Sequence, residues 1–243
     1  MAVAHEPTSP PGWLLDEMAR AGRENLDAIH VARYDVKEDA AAADEIALLT
    51  ELGLSGDAVV VDIGAGTGQF AIAAASACAR VVAVDVSPVM LRSLRARLSA
   101  EQVTNVEVVQ AGFLTYEHDG SPADVVYSRY ALHHLPDFWK AVALGRLRRI
   151  LRPGGVMRLW DVVYDFEPAA AEERIEAWCA TGGTEDDVEG EWSRAELEEH
   201  VRDEHSTFSW LLEPMVERSG FEIERAEHSQ DGIFAKYVLR AAS

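Results

Sequence analysis

The stretch Val59-Val60-Val61-Asp62-Ile63-Gly64-Ala65-Gly66-Thr67-Gly68 decides the fold of this chain. It begins as a short apolar run with a carboxylate near its end, which is typical of a strand buried on both faces. The three glycines that follow at alternate positions permit a tight turn and let a ligand approach the backbone without a Cβ in the way. A helix is predicted from Gln69, so its free N–H groups would point towards that ligand.

A second apolar run follows this loop and also ends in a carboxylate. Residues 80–85 read as a buried strand that ends at Asp85. An acid at the carboxyl end of a strand, near the switch point of a doubly wound sheet, is well placed to accept hydrogen bonds from a ribose diol. Strand, glycine loop, helix and second strand together predict a site for a nucleoside-type cofactor.

The spacing of the glycines separates the cofactor classes. Dinucleotide folds use G-x-G-x-x-G, but Gln69 stands where the third glycine is needed, and the chain has no G-x-x-x-x-G-K-[ST] loop. The pattern Asp62-x-Gly64-x-Gly66-Thr67-Gly68, with Asp85 at the next strand end, resembles motif I and the ribose acid of class I S-adenosylmethionine-dependent methyltransferases. This cofactor has a ribose diol and no phosphate, so the acids beside the loop would not repel it.

A second motif supports the same resemblance. Leu151-Arg152-Pro153-Gly154-Gly155 follows a predicted helix over 137–151 and precedes a predicted fifth strand over 156–161, as in that family. The resemblance covers residues 57–161 with specific motifs. It implies an α/β fold, a three-layer Rossmann-like sandwich around a mostly parallel seven-stranded sheet that ends in a C-terminal antiparallel hairpin.

The rest of the chain divides around this core. Residues 1–56 are expected to form an N-terminal arm and helices, over about 13–32 and 39–52. Residues 57–161 form the cofactor-binding core, and 162–206 a helical cap insert on the acceptor side. In the insert, Ser193-x-x-Glu196 predicts a capping box. Residues 207–243 add a last helix over 207–219 and strands over 221–226 and 233–240, which complete the sheet.

The resemblance also implies which residues contact the cofactor. The loop at the end of the fourth strand, predicted over 123–128, lines the cofactor in that family, and an N-terminal aromatic residue can reach its methionine end. Many relatives carry an acid after the third strand that binds the adenine amino group, whereas Gly112 and Phe113 stand here. Backbone groups or another residue must then recognise adenine. The expected cofactor-binding residues are Asp62, Gly64, Ala65, Gly66, Gly68, Asp85, Val86, Met90, Gly112, Phe113, Ser128, Arg129 and Tyr34.

The expected reaction is the transfer of a methyl group from S-adenosylmethionine to an O, N or C atom of a small-molecule acceptor by direct in-line displacement. A base is needed only if the acceptor must lose a proton, and the candidates are His133, His134 and His205. No metal ligands are expected. The alternatives are a non-catalytic S-adenosylmethionine-binding protein and an NAD(P)-dependent oxidoreductase, the latter disfavoured by Gln69.

Composition narrows the range of partners. The chain has 243 residues and a formal net charge of −20, which argues against binding to nucleic acid phosphates or to an anionic membrane surface. Two cysteines cannot build a disulfide framework. The sequence shows no signal-peptide core and no membrane span, so a cytoplasmic location is expected. The oligomeric state stays open, with a homodimer among the candidates.

Overall fold

The computed structural model describes residues 11–22, 31, 41–183 and 192–242. Within them the chain builds an α/β sandwich around one mixed sheet. Seven strands follow the order β3-β2-β1-β4-β5-β8-β7, and the two-residue β6 pairs with β5 outside this path. The strands are β1 (Val59–Ile63), β2 (Arg80–Asp85), β3 (Val106–Gln110), β4 (Ala123–Arg129), β5 (Leu151–Tyr164), β6 (Thr207–Phe208), β7 (Phe221–His228) and β8 (Phe234–Ala241).

Helices cover both faces of this sheet. The described helices are α1 (Ala42–Glu51), α2 (Gln69–Ala74), α3 (Pro88–Ala100), α4 (Asp137–Ile150), α5 (Ala171–Cys179), α6 (Arg194–Asp203) and α7 (Ser209–Arg218). Because side chains alternate along a strand, Val61 and Ile63 enter a core that includes residues of α4 and α7, whereas Val60 enters a core with α1, α2 and α3. The predicted three-layer arrangement is therefore confirmed.

The parallel part of the sheet places the site. β1 pairs in parallel with β2 on one side and with β4 on the other. The chain therefore adds β2 and β3 on one side of β1 and then crosses to the other side for β4 and β5, which makes this the switch point of the sheet. The carboxyl ends of β1, β2, β3 and β4 consequently meet at one edge, where open α/β sheets bind ligands. The predicted antiparallel hairpin is present as β7 and β8, with β8 also antiparallel to β5.

A buried ion pair ties α1 to the sheet. Glu45 of α1 accepts two hydrogen bonds from Arg158 of β5, at 2.7 Å from Nε and 2.8 Å from Nη2. Both side chains are almost completely buried, at 5% and 3% exposure. A bidentate pair of this kind satisfies both charges, because each carboxylate oxygen meets one guanidinium N–H.

Several predicted boundaries need correction. Strand β5 begins at Leu151 rather than 156, because α4 passes directly into it and Leu151 already pairs with Ala123 across an irregular register. The last helix begins at Ser209, because residues 207 and 208 pair in parallel with β5 as an eighth strand. In the described part of 13–32, a 3-10 turn covers Met18–Arg20 and Val31 is helical, while residues 23–30 and 32 lie outside the described residues.

Residues 162–206, the segment predicted to form a cap insert, contain helices. A 3-10 turn leads into α5, and α6 begins at a complete capping box formed by Ser193 and Glu196. Trp178, Leu197 and Ile233 belong to a separate small core beneath these helices. No helix within the described ranges is long and apolar enough to cross a membrane.

Candidate active site

A pocket with about 590 Å³ of empty space, including its open mouth, lies at the carboxyl ends of β1 to β4. Its walls combine the glycine loop after β1, the end of β2, the turn after β3 and the loop after β4. Seven residues predicted to bind cofactor line it: Gly64, Gly66, Asp85, Val86, Met90, Gly112 and Phe113.

The glycine loop takes a backbone shape that requires glycine. Gly64, Gly66 and Gly68 have φ values of 76°, 54° and 85°, in the left-handed region. A Cβ on Gly64 would lie 2.3 Å from the Cβ of Ala131, and one on Gly68 would lie 2.1 Å from Leu94. The loop therefore packs against the loop after β4 and against α3 with no room for side chains.

Asp85 lies where a ribose acceptor is expected. Its Oδ2 accepts a hydrogen bond from the Gly66 N–H at 2.8 Å, and its Oδ1 accepts one from the Ser87 N–H at 2.7 Å. Burial raises the pKa of Asp85 above its usual value, although these two N–H donors act in the opposite direction. Both oxygens keep further acceptor capacity, because a carboxylate offers about four lone-pair sites.

Asp62 lies behind the pocket rather than in its wall. It is 2% exposed, and its Oδ2 has no hydrogen-bond partner among the described residues. Burial, with the negative charge of Asp85, raises the pKa of Asp62 to about 8. The side chain is consequently protonated near neutral pH, which lowers the cost of burying it beside a second acid.

The loop after β4 is held by Asp161 at the end of β5. Its carboxylate accepts hydrogen bonds from the N–H groups of Leu132 and His133, at 2.9 and 3.2 Å, and its Oδ1 lies 2.5 Å from Nδ1 of His133. Burial acts to raise the pKa of Asp161, but the charge and hydrogen bond of His133, together with the Val162 N–H and His134, hold that pKa below its usual value. Asp161 thus fixes both the backbone and the imidazole of His133.

Of the three predicted histidines, His134 alone lines the pocket. Its Nδ1 lies 2.8 Å from Oε2 of Glu204, which follows α6 in the cap. Burial acts to raise the pKa of Glu204, but the hydrogen bond and charge of His134 hold it below its usual value. A carboxylate in this position fixes the ring orientation and stabilises a protonated imidazole.

Two further histidines surround this pair. His200 lies with its ring centroid 4.9 Å from that of His133, and its Nε2 is 2.8 Å from Oγ of Ser206. Burial, with the neighbouring His133, lowers the pKa of His200 to about 3. His205 donates its backbone N–H to the carbonyl of His133 at 2.9 Å, so it supports the loop through its main chain.

The sequence predicts no metal ligands, but the fold does bring metal-binding side chains together. One ligand atom from each of His133, His134 and Glu204 falls within 4.8 Å of the others. Nδ1 of each imidazole is already paired with a carboxylate oxygen, in His133 with Asp161 and in His134 with Glu204. In this form the cluster is a set of hydrogen-bonded acid–imidazole pairs.

The remaining predicted residues lie near the pocket without lining it. Ala65 and Gly68 belong to the glycine loop and Ser128 and Arg129 to the end of β4, and the Arg129 guanidinium lies 4.5 Å from the ring centre of Tyr130. Tyr34 lies outside the described residues. Their contacts with cofactor stay predictions.

Sequence reasoning missed part of the wall. Tyr130, Ala131 and Leu135 line the pocket and belong to the loop after β4, which the resemblance had already singled out. Tyr130 takes a φ of 49°, an uncommon value for a residue with a side chain and one often found at functional sites. Glu17 also lines the pocket, from the N-terminal segment, and no motif in the sequence signals it.

The residues present fit S-adenosylmethionine. The wall contains Asp85, which can accept hydrogen bonds from a ribose diol, and the glycine loop, which lets a ligand approach the backbone. Among its described residues it contains no lysine or arginine that would favour a pyrophosphate. A dinucleotide would instead require a phosphate-binding helix start, where Gln69 replaces the glycine.

Comparisons with known proteins agree with this geometry. A family model described as a methyltransferase domain matches residues 60–155. A methyltransferase of Geobacillus kaustophilus is 28% identical over 182 residues, covering 70% of this chain and 82% of the relative. The trans-aconitate 2-methyltransferase of Methylobacterium radiotolerans is 34% identical over 128 residues, covering 52% of this chain and 46% of the relative.

The fold comparison reaches further along the chain. The structure of phosphoethanolamine N-methyltransferase 2 of Haemonchus contortus, in complex with S-adenosyl-L-methionine, matches with a TM-score of 0.69. It is 17% identical and covers 95% of this chain and 61% of its own. Residues 60–155 thus match a methyltransferase domain, and the chain has the fold of S-adenosylmethionine-dependent methyltransferases.

Proposed function

We propose that this methyltransferase acts on a small-molecule acceptor and transfers the methyl group to an O, N or C atom by direct in-line displacement. The observation that carries the proposal is that Asp85, the glycine loop and His134 line one pocket, and that His134 pairs with Glu204 of the cap. A cofactor-binding wall and a proton-accepting group thereby share one cavity. Net charge and the named acceptors of two relatives, trans-aconitate and phosphoethanolamine, also favour a small acceptor over nucleic acid.

The residues of the pocket would bind the cofactor and align it for methyl transfer. Asp85 would accept hydrogen bonds from the ribose hydroxyl groups, and the backbone of Gly64 and Gly66 would allow close approach of the ligand. Bound S-adenosylmethionine supplies an activated methyl group: the bond from carbon to the acceptor forms as the carbon–sulfur bond breaks, and its electron pair stays on the sulfur. Alignment of the reacting atoms can supply roughly 7–11 kcal/mol of barrier reduction in favourable cases.

His134 is the proposed base for an acceptor that must lose a proton. Its Nδ1 is paired with Glu204, so Nε2 is the ring nitrogen that would take the proton. Glu204 would then stabilise the imidazolium. His133 is held by Asp161 on the other side of the loop and would position His134 rather than react. His205 supports the loop through its backbone.

The test uses S-adenosylmethionine with an isotopically labelled methyl group. The protein is incubated with a cell extract separated into small molecules and macromolecules, and the label is followed by mass spectrometry. The proposal expects label in the small-molecule fraction, lost with Asp85→Ala. Label confined to nucleic acid or protein would contradict it. Absence of transfer in the presence of tight binding would instead favour a non-catalytic binding protein.

The base is tested separately with His134→Gln. We expect kcat to fall by about 100-fold or more, the usual contribution of general acid–base catalysis. The limb of the pH profile due to the base should disappear, while the Kd for S-adenosylhomocysteine changes little. His228→Gln, on β7, is the matched control. An unchanged kcat and pH profile would show that the acceptor needs no base from His134.

A further inference from the structure

The strongest unassigned feature of the pocket is a buried acid in its wall. Glu17 is 8% exposed and lines the pocket together with Gly112 and Phe113. It comes from the N-terminal segment, almost 100 residues before the turn that it contacts. An acid is seldom buried this deeply unless it is paired or hydrogen-bonded.

The turn after β3 forms a specific seat for this carboxylate. The Leu114 N–H donates to Glu17 in a shared hydrogen bond, at 3.2 Å to Oε1 and 3.1 Å to Oε2. The Thr115 hydroxyl lies 3.2 Å from Oε2, and its Oγ1 accepts from the Gly112 N–H at 2.9 Å. These donors fix the carboxylate at the pocket wall and leave part of its acceptor capacity unused.

Gly112 is what allows Glu17 to enter. A Cβ at this position would lie 2.4 Å from Oε1 and 2.6 Å from Oε2 of Glu17. The backbone of Gly112 is not in the left-handed region, so a glycine is not required there by its own φ. The missing side chain at 112 and the acid at 17 therefore complement each other in space.

The position of this acid relative to Asp85 indicates what it would meet. β2 and β3 are neighbours with Asp85 opposite Gln110, so Gly112 lies two residues beyond that partner. The same wall includes the apolar residues Val86 and Met90, which follow β2 or begin α3, and Ala111, which immediately precedes Gly112. A ligand whose ribose is held at Asp85 would lay a flat base along these apolar residues, with the edge of the base directed at Glu17.

We propose that Glu17 recognises the adenine of the cofactor by accepting a hydrogen bond from its exocyclic amino group, in the seat that Gly112 leaves open. This assignment rests on the proposed function, because it assumes that the pocket binds the adenosyl group. It makes the N-terminal segment a specificity element of the cofactor site. Burial raises the pKa of Glu17, so a donor from the ligand would offset part of the lost hydration of its carboxylate.

The experiment compares two ligands that differ in the group at C6 of the purine and in whether N1 carries a hydrogen. S-adenosylhomocysteine carries an amino group on the purine, whereas S-inosylhomocysteine carries a carbonyl oxygen, an acceptor that would face the acceptor oxygens of Glu17. Calorimetry gives the Kd of each for the wild type, Glu17→Ala and Gly112→Ala. Gly112→Ala keeps Glu17 but displaces its carboxylate, so it protects the test against a folding defect in Glu17→Ala.

The wild type should bind the adenosyl ligand about 10- to 100-fold more tightly than the inosyl ligand, the size expected for one hydrogen bond to a charged group. Both variants should reduce this preference to about threefold or less. Asp85→Ala should raise the Kd of both ligands and leave the ratio of the two Kd values unchanged. Glu51 is an exposed glutamate at the end of α1, and Glu51→Gln should change neither the Kd values nor their ratio.

The two proposals fail in different ways. If the wild type bound neither ligand, the pocket would not be an adenosyl site, and the proposed function and the role of Glu17 would fall together. If the wild type bound S-adenosylhomocysteine but both variants kept its preference over the inosyl ligand, the role of Glu17 alone would be refuted. Loss of affinity for both ligands at an unchanged ratio would make Glu17 a structural support and would also refute it.

Discussion

The contact between Gly64 and Ala131 offers a sharp test of how the glycine loop is built. Gly64 has a φ of 76°, and a Cβ there would lie 2.3 Å from the Cβ of Ala131. Ala131 cannot move its Cβ aside by a rotamer change, because that atom is fixed to the backbone. The loop is held as well, since the N–H groups of Gly64 and Ala65 both donate to the Val84 carbonyl, at 2.9 and 3.0 Å.

The cost of Gly64→Ala has two separable parts. A left-handed alanine costs about 1–2 kcal/mol, and overpacking against Ala131 adds about 1–3 kcal/mol. We therefore expect the free energy of unfolding to fall by roughly 2–5 kcal/mol. Ala131→Gly removes the opposing methyl group. In the double variant the loss of unfolding free energy due to overpacking should therefore disappear, and the loss due to the left-handed backbone should remain.

The assay is urea unfolding of the wild type, both single variants and the double variant, without ligand and at one protein concentration. The double-mutant cycle should give a coupling free energy of about 1–3 kcal/mol in favour of the double variant, with an unchanged m-value. Binding of S-adenosylhomocysteine should fall with Gly64→Ala because both residues line the pocket. A coupling below about 0.5 kcal/mol would refute the contact on which this reasoning depends.

Three further predictions follow from other parts of the structure. Asp85→Ala should raise the Kd for S-adenosylhomocysteine by about 10- to 100-fold in calorimetry through loss of the ribose acceptor, and an unchanged Kd would contradict that role. His200 has a pKa of about 3 in the folded protein and about 6.5 when unfolded, so its contribution to stability is present above pH 6.5 and is lost as the pH falls towards 3. His200→Phe should accordingly lessen the decline in unfolding free energy between pH 6.5 and 5, by at most about 1.4 kcal/mol per pH unit, and parallel curves for the two proteins would contradict the shift. Glu45→Ala should destabilise the fold by about 3–5 kcal/mol in urea because it leaves Arg158 charged and unpaired in the core, whereas the double variant with Arg158→Met should recover much of that loss; equal losses in the single and double variants would contradict this reason.

The core of the fold could be predicted because its signals are local. The strand and loop over 59–68, the acid at Asp85 and the helix start at Ser87 each depend on neighbouring residues, and the structure contains all of them. The Ser193–Glu196 capping box is equally local. Element ends were less predictable, as at Leu151, where pairing with Ala123 extends the strand through a Pro-Gly-Gly sequence that reads as a break.

The candidate site also has a part that the sequence predicts and a part that only the fold decides. His133 and His134 are adjacent in sequence, and nothing local tells them apart. Only the fold turns His133 towards Asp161, 28 residues away, and His134 towards Glu204, 70 residues away. Sequence reasoning named both as equal candidates for the base, whereas the tertiary structure places His134 alone of the two in the pocket wall.

By itself, the sequence determined the α/β class and the nucleoside-type cofactor, and it predicted a site at the carboxyl edge of the sheet. These follow from short-range patterns, because glycine positions and apolar periodicity act on the backbone within a few residues. The tertiary structure decided which acids and histidines meet, and it brought Glu17 to the empty space beside Gly112. Such long-range contacts depend on how the chain packs rather than on the spacing of residues along the sequence. For that reason no motif in the N-terminal segment predicts that this acid lines the pocket.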